Sequence, residues 1–91
     1  MIRPEVADFI ALGTLPSEDD EPDEALEVRV DRAADLLELV ERPVTDEEAH
    51  ALAACFGHDE CFGVAWRLLH LVETAPHAPE AARRWREGLT R

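Results

Sequence analysis

Residues 60–74 read ECFGVAWRLLHLVET, a run that is apolar on nearly all sides when it is wound into a helix. The wetter positions form a narrow stripe that consists of Gly63, Arg67, His70 and Thr74. A helix with so little polar surface belongs at the centre of a domain, with neighbouring elements on most sides. We therefore expect this helix, with Asp59 as its N-cap, to be the one around which the rest of the chain packs.

Other segments show the spacing of amphipathic helices. With their caps and terminal glycines, these helices are expected over residues 4–13, 22–41, 45–57 and 79–87. Thr45 and Glu48 have the spacing of a capping box at the start of the third helix. Alternation with a period of two is nowhere sustained, so no sheet is expected. The sequence predicts an all-α protein, a compact bundle of four to five helices around a central apolar helix, with residues 1–91 as one domain.

The second helix shows the clearest division into an inner and an outer face. Its core stripe steps by four, three, four and three residues along Leu26, Val30, Ala33, Leu37 and Val40. Trp66 and Trp85 are expected to pack between helices, with Ala82 also turned inward. Residues 14–24 are expected to form an acidic loop, and the sequence leaves its order open.

The charge of the chain is large and unevenly placed. The 91 residues include 21 acidic side chains and 9 basic ones, for a formal net charge of −12. The first 48 residues hold sixteen acids and four arginines, and the remaining residues hold five of each. Phosphate would meet a field of its own sign on most of this surface, so direct binding of nucleic acid is not expected.

Carboxylates line one side of the predicted second helix. At 100° per residue they fall between roughly 60° and 180° from the core stripe, on a ridge about 25 Å long. We call this set the acidic ridge: Glu24, Glu27, Asp31, Asp35, Glu38 and Glu41. Like charges four residues apart, such as Glu27 and Asp31, each cost a few tenths of a kcal/mol. A basic partner would relieve that cost, so these six residues are the candidate partner-binding site.

Two simpler interpretations stand beside this one. Acidic stripes are often solvated faces that keep a protein soluble, as in a structural or regulatory module, which could be a homodimer. A small thiol- or metal-dependent activity could instead use residues of one region, namely Cys55, His58, Cys61 and His70. Because these residues lack CxxC or HxxxH spacing, two ordinary buried thiols and no metal or other cofactor are expected.

No catalytic constellation is evident. Ser17 is the one serine, in an acidic segment with no histidine near it in sequence, and no glycine-rich phosphate loop is present. Exposed carboxylates have no environment that would tune their pKa values for acid–base work. The protein is therefore expected not to be an enzyme. Arg67 and His70, on the wetter stripe of the central helix, are candidates for polar contacts at an interface.

The compartment can be inferred only from what the chain lacks. Its two cysteines do not make a disulfide framework, and its first residues lack the apolar run of a signal peptide. Its fully apolar runs are far shorter than the roughly 20 residues that span a bilayer. We expect a soluble, cytoplasmic protein that does not associate with membranes.

Residues 56–76, FGHDECFGVAWRLLHLVETAP, resemble a segment of small uncharacterised bacterial helical proteins that share an FG-D-C-G-AW-LLHL-ETAP pattern. The resemblance covers about a quarter of the chain, and it implies helical structure and no known activity. The shared pattern includes five residues for which it implies a role beyond core packing: Asp59, Cys61, Trp66, His70 and Glu73. In general format the chain also resembles bacteriocin immunity proteins, small acidic helical domains that mask basic nuclease toxins.

These observations lead to one functional hypothesis. The chain is expected to be a non-enzymatic immunity or inhibitor-type protein whose acidic ridge covers a basic protein, such as a toxin or a nucleic-acid-binding protein. Apolar residues near the ridge would have to supply much of the affinity.

Overall fold

The computed structural model describes residues 2–16, 24–57 and 61–89 of the chain. Within these ranges the chain forms five α-helices and no strand, so the predicted all-α fold is confirmed. The helices are α1 (Pro4–Ala11), α2 (Glu24–Leu39), α3 (Asp46–Ala53), α4 (Val64–Val72) and α5 (Glu80–Leu89). A single 3-10 turn, Cys61–Gly63, directly precedes α4.

The central position of α4 follows from its sequence. The helix packs against α2, α3 and α5, whereas α1 packs against α2 and α3. Six of its nine residues are buried: Val64, Ala65, Leu68, Leu69, Leu71 and Val72. Its exposed positions include Arg67 and His70, on the predicted wetter stripe. The scarcity of polar side chains in residues 60–74 thus correctly predicted that this segment contains the central helix of the bundle.

Most of the buried apolar residues of the five helices belong to one hydrophobic cluster. Of the predicted core stripe of α2, Ala33, Leu37 and Val40 belong to this cluster and the partly buried Val30 packs against it. Leu26 is buried but lies outside the cluster, and Leu36 joins it. The cluster also includes residues from the connections between helices, namely Leu15, Val44, Cys55 and Ala75. The burial of Cys55 was expected, but no periodic pattern marks Leu15, Val44 or Ala75, so the sequence did not predict these three.

The second helix ends at Leu39, two residues before the predicted end. Pro43 explains the difference, because its ring would clash with the carbonyl group of Leu39 if the helix continued, and it disfavours helical geometry at Arg42. Glu41 is exposed in the connection after α2, so placing it on the helical ridge was wrong.

The third helix ends at Ala53, before the predicted Phe56 and Gly57. The chain leaves the helix here to meet the segment after α1, where the backbone N–H of Leu15 donates to the Cys55 carbonyl at 2.9 Å. A side chain on Gly57 would place its Cβ 2.8 Å from the Leu15 carbonyl oxygen. The glycine is therefore a point of close backbone approach, and it stands beyond the helix end.

The fourth helix begins at Val64, and the prediction of a start at Glu60 with Asp59 as its cap was wrong. Gly63, at φ 90°, is the N-cap residue, and Asp59 and Glu60 lie outside the described residues. Cys61 and Phe62 also have positive φ, of 45° and 54°. Three successive left-handed residues interrupt the helical path, so the apolar run is split into a turn and a shorter helix.

An aromatic cluster fixes α5 against the rest of the bundle. The ring of Trp85 stacks on Phe56 with centroids 4.8 Å apart, and Trp66 meets Trp85 edge-on at 5.2 Å. Ala82 is buried on the same helix. The inward positions predicted for α5 and the packing predicted for both tryptophans are confirmed.

Most of the predicted acidic loop, residues 14–24, lies outside the described residues, but its two ends do not. Leu15 and Pro16 are buried, and Glu24 is already the first residue of α2. The segment that leaves α1 is therefore attached to the core, which its polar surroundings in the sequence did not indicate.

Candidate partner-binding surface

Five members of the acidic ridge project from one side of α2, and all five are exposed. They are Glu24, Glu27, Asp31, Asp35 and Glu38. The helix turns its opposite flank, with Arg29 and Ala33, towards the groove that it shares with Phe9 of α1. The ridge therefore faces away from α1, as the 3.6-residue period requires once the core stripe is buried.

The structure brings one end of the ridge next to the other predicted site. The guanidinium group of Arg67 lies 3.6 Å from the carboxylate of Glu38, and both side chains are well exposed. Glu38 and Arg67 line a shallow groove, and Arg42 and Leu37 line it with them. An exposed pair of this kind adds little stability, but it places positive charge beside the C-terminal end of the ridge.

The rest of the ridge has no such neutralisation within the described part of the chain. No ion pair there involves Glu24, Glu27, Asp31 or Asp35. Two arginines of α5 pair elsewhere, Arg84 with Glu80 at 3.4 Å and Arg86 with Glu73 at 3.0 Å. Neither of these two arginines of α5 therefore neutralises the acids of the ridge. Negative charge therefore accumulates on this face of α2, whereas Arg29 and Arg32 lie on its other flank.

A groove opens along this more negative part of the ridge. It has a volume of about 370 Å³ and lies between α2 and the turn that precedes α4. Leu26 and Val30 of α2 and Phe62 of the turn supply its apolar walls. Glu27 and Asp31 supply its acidic rim. An apolar depression thus lies directly beside charged groups, an arrangement typical of the centre and rim of protein interfaces.

The backbone at Phe62 explains why so large a side chain lies at the surface. In the left-handed conformation of φ 54° and ψ 30°, the ring is turned out of the core and 59% of the residue is exposed. An L-residue other than glycine pays roughly 1 kcal/mol for this conformation. Neighbouring Cys61, by contrast, is fully buried. The turn thus buries one side chain and presents the next beside α2.

Two further apolar side chains of α2 are exposed, Val28 at 59% and Leu39 at 63%. Helical spacing places both on the outer face of α2, beyond Asp35 and away from the groove. They show that α2 carries apolar surface on both sides of its acids.

His70 is exposed on α4, one turn from Arg67. Of the two predicted interface residues, the structure brings only Arg67 into contact with the ridge. Other residues singled out by the resemblance have structural contacts, because Trp66 lies in the aromatic cluster and Glu73 pairs with Arg86. Asp59 lies outside the described residues.

The thiols have the environment of core residues. Cys55 and Cys61 are both buried, and neither forms a disulfide bond. Burial raises the pKa of the Cys55 thiol, whereas a reactive cysteine needs a lowered one. Its sulfur lies 3.9 Å from the Ala51 carbonyl oxygen, a weak contact within α3. Among described residues no group of three or more histidine, cysteine, aspartate or glutamate side chains could hold a metal ion, and His58 is not among those residues.

A second charged cluster lies at the N-terminus of α3, and its long-range members were not predicted. The capping box is present, with Glu48 N–H donating to Thr45 Oγ1 and Thr45 N–H donating to Glu48 Oε1. Arg3 adds bonds from its backbone N–H and Nε, both 3.0 Å from Glu48 Oε2, and from Nη2 at 3.1 Å from Oε1. The pKa of Glu48 is lowered to about 2, mainly by the hydrogen bond from the Arg3 side chain. Burial acts in the opposite direction and raises the pKa, whereas the bonds from the backbone N–H groups of Thr45 and Arg3 lower it further.

Asp46 ties the same helix end to the connection after α4. His77 donates its backbone N–H to Asp46 Oδ1 at 2.8 Å, and its ring Nδ1 lies 2.9 Å from Oδ2. The backbone bond is the main cause of a lowered Asp46 pKa, with the ring contact second. These carboxylates are engaged within the fold, which distinguishes them from the acids along the first turns of α2.

The chain matches no protein-family model, no curated protein and no solved structure. None of its described helices has the length and apolar character needed to cross a membrane. The resemblances stated above therefore stay predictions.

Sequence reasoning missed the groove because it joins residues that are more than thirty positions apart in the chain. The available local signal was Gly63, which follows a large aromatic residue where the helix was expected to begin. A glycine at that position indicates a turn as readily as a helical residue.

Proposed function

We propose that this protein is a non-enzymatic binding protein whose acidic ridge covers a basic surface of another protein. An immunity protein or inhibitor that masks a toxin or a nuclease is the class of function that fits best. The observation that carries the proposal is the exposure of Glu27, Asp31 and Asp35 on one helical face, with no ion pair to any described residue.

The energetics of α2 support this proposal. Glu27 and Asp31, and Asp31 and Asp35, are like charges one turn apart, and each pair costs a few tenths of a kcal/mol. Arg84 and Arg86 of α5 do not offset this cost, because they pair with other acids. A basic partner would convert the repulsion into attraction and would also associate faster through electrostatic steering.

The buried thiols and the exposed carboxylates favour binding over catalysis. Cys55 is buried with a raised thiol pKa, so it lacks the thiolate character of a nucleophile. The acids of the ridge lie on an open helical face, where nothing excludes water from a reacting group.

A homodimeric structural module is the second candidate, and the exposure of Val28 and Leu39 favours it. Light scattering after size-exclusion chromatography separates the two functions. A monomer at low and high salt supports the binding protein, whereas a dimer that persists at high salt and binds no basic protein supports the structural module.

The test of the proposed function is kinetic and uses a charge-matched control. The wild-type protein is used as bait in an extract of its host, and a captured basic protein is purified. Its association rate is then measured by surface plasmon resonance for Asp31→Arg/Asp35→Arg and for Asp8→Arg/Glu80→Arg. Both double variants change the net charge equally, but Asp8 and Glu80 lie on α1 and α5.

We expect the ridge variant to slow association about tenfold at low salt, within the range that steering provides. The control variant should change the rate much less, and circular dichroism should show that both variants fold. Equal rates for the two variants would refute the role of the ridge.

A further inference from the structure

We propose that the groove between Phe62 and α2 receives an apolar side chain from a basic segment of the partner protein. This inference rests on the proposed function and deepens it, because it assigns the source of short-range affinity that the ridge alone does not supply. Charge complementarity identifies the occupant, since the apolar walls of the groove meet a rim of two acids, Glu27 and Asp31.

The walls of the groove are suited to a side chain of the size of leucine. Leu26 and Val30 form its wall on α2, and Phe62, which is exposed, lines it from the turn before α4. Removal of an apolar side chain from water between such walls contributes affinity, and desolvated pockets of this kind are where the binding energy of an interface concentrates. A volume of about 370 Å³ leaves room for one large side chain and part of its backbone.

The backbone around the groove supports a dedicated surface. Phe62 has positive φ, and the residues on either side of it, Cys61 and Gly63, also have positive φ. Such strain persists only where the surrounding structure holds it, and it often coincides with binding sites. Here its result is an aromatic ring that lies beside the acids.

The chemistry of the rim excludes other occupants. An acidic segment would be repelled by Glu27 and Asp31, as would the same ridge on a second copy of this chain. A small neutral ligand would leave most of its surface in water, because the groove is open. A basic segment with apolar side chains at helical spacing satisfies both the walls and the rim, in the manner of an amphipathic helix in a groove.

The test uses two synthetic helical peptides of equal length and equal lysine content. One carries leucine at positions that form a single stripe, and the other carries alanine there. Isothermal titration calorimetry at low salt gives their dissociation constants for the wild-type protein, for Phe62→Asn and for Val28→Asn. Asparagine tolerates the left-handed conformation, so the first variant should fold. Val28 is as exposed as Phe62 but lies away from the groove, which makes it the matched control.

We expect the wild-type protein to bind the leucine peptide about tenfold more tightly than the alanine peptide. Phe62→Asn should abolish this preference, and Val28→Asn should retain it. Glu27→Gln/Asp31→Asn should weaken the binding of both peptides. These three results together would establish both parts of the surface, the apolar groove and its acidic rim.

Other outcomes separate the groove from the ridge. If both peptides bound with equal affinity and in a salt-sensitive way, the proposed role of the groove would be refuted and the proposed function would remain intact. A preference for leucine that survives Phe62→Asn would also overturn the groove. If neither peptide bound at low salt, both the groove and the proposed function would be overturned.

Discussion

Gly57 shows how a single missing side chain allows two connections to meet. The backbone of Leu15 donates to the carbonyl of Cys55, and this contact brings the Leu15 carbonyl against Gly57. Any Cβ at this position would lie 2.8 Å from a backbone oxygen, which cannot move as the end of a flexible side chain does. The identity of this residue is therefore required by packing.

Gly57→Ala should destabilise the protein by about 1–3 kcal/mol, the usual cost of forcing an extra carbon into a packed region. The matched control is Gly88→Ala, because a Cβ there meets nothing within 4 Å and the residue lies within α5. Alanine should be neutral or should stabilise α5 by up to about 1 kcal/mol. Urea unfolding followed by circular dichroism checks both, and similar effects of the two substitutions would contradict the close approach.

Phe62 illustrates the limit of reasoning from periodicity at single residues. Its apolar neighbours predicted a buried position on a continuous helix, and the backbone instead turns it outwards. Glu27 and Asp31 were predicted correctly as exposed, because the angle around a helix suffices to place them. The acidic half of the groove was thus predictable, and the aromatic wall depended on dihedral angles that no local pattern specified.

At the level of elements, the N-terminus of α3 is a junction for three parts of the chain. Glu48 closes the capping box and accepts bonds from Arg3, which precedes α1. Asp46 accepts bonds from His77, which follows α4. The carboxylate of Glu48 is fully buried, so its bonds to Arg3 and Thr45 must compensate for the loss of water.

This junction predicts acid sensitivity. The pKa of Glu48 is lower in the folded protein, about 2, than its ordinary value of 4.5. Its contribution to stability is therefore fully present above pH 4.5 and is lost as the pH falls towards 2. At about 1.4 kcal/mol per unit, the contribution is at most about 3.5 kcal/mol.

Urea unfolding of the wild type and of Glu48→Gln over this pH range tests the prediction. The variant should be less stable at neutral pH, and the difference should shrink as the wild-type carboxylate becomes protonated. Asp8→Asn, at an exposed position of α1, serves as the control and should change stability little. A difference between wild type and Glu48→Gln that stays constant with pH would contradict the assignment.

The bounds of the elements show which part of the fold local sequence determines. The Thr45–Glu48 box and the stripe of Leu26, Ala33 and Leu37 are short-range signals, and the structure contains both. The bonds from Arg3 to Glu48 join residues 45 positions apart. Contacts at that separation depend on how the helices pack, and a single sequence gives no measure of them.

For the whole molecule, the dominant property is unbalanced charge. The net charge is −12, and two of the described arginines, Arg84 and Arg86, pair with acids away from the first turns of α2. Such a molecule repels itself, and the compact state suffers more from this repulsion than the expanded unfolded chain does. The exposed acids that suit the proposed function therefore reduce the stability of the fold.

Added salt should consequently stabilise the protein. Between about 0.01 M and about 1 M sodium chloride the Debye length falls from about 30 Å to about 3 Å, and repulsion between exposed acids is screened. The thermal midpoint of the wild type should rise over this range. Asp31→Lys/Asp35→Lys, which reduces the net charge, should show a smaller rise, and a midpoint that falls with salt would contradict the prediction.

The aromatic cluster has a practical consequence for such experiments. Both tryptophans of the chain, Trp66 and Trp85, belong to this cluster with their rings 5.2 Å apart. Their emission spectrum therefore reports on the docking of α5 and carries no probe on the face of α2. A ligand bound along the acids should leave intrinsic fluorescence nearly unchanged, whereas detachment of α5 should shift it strongly to the red.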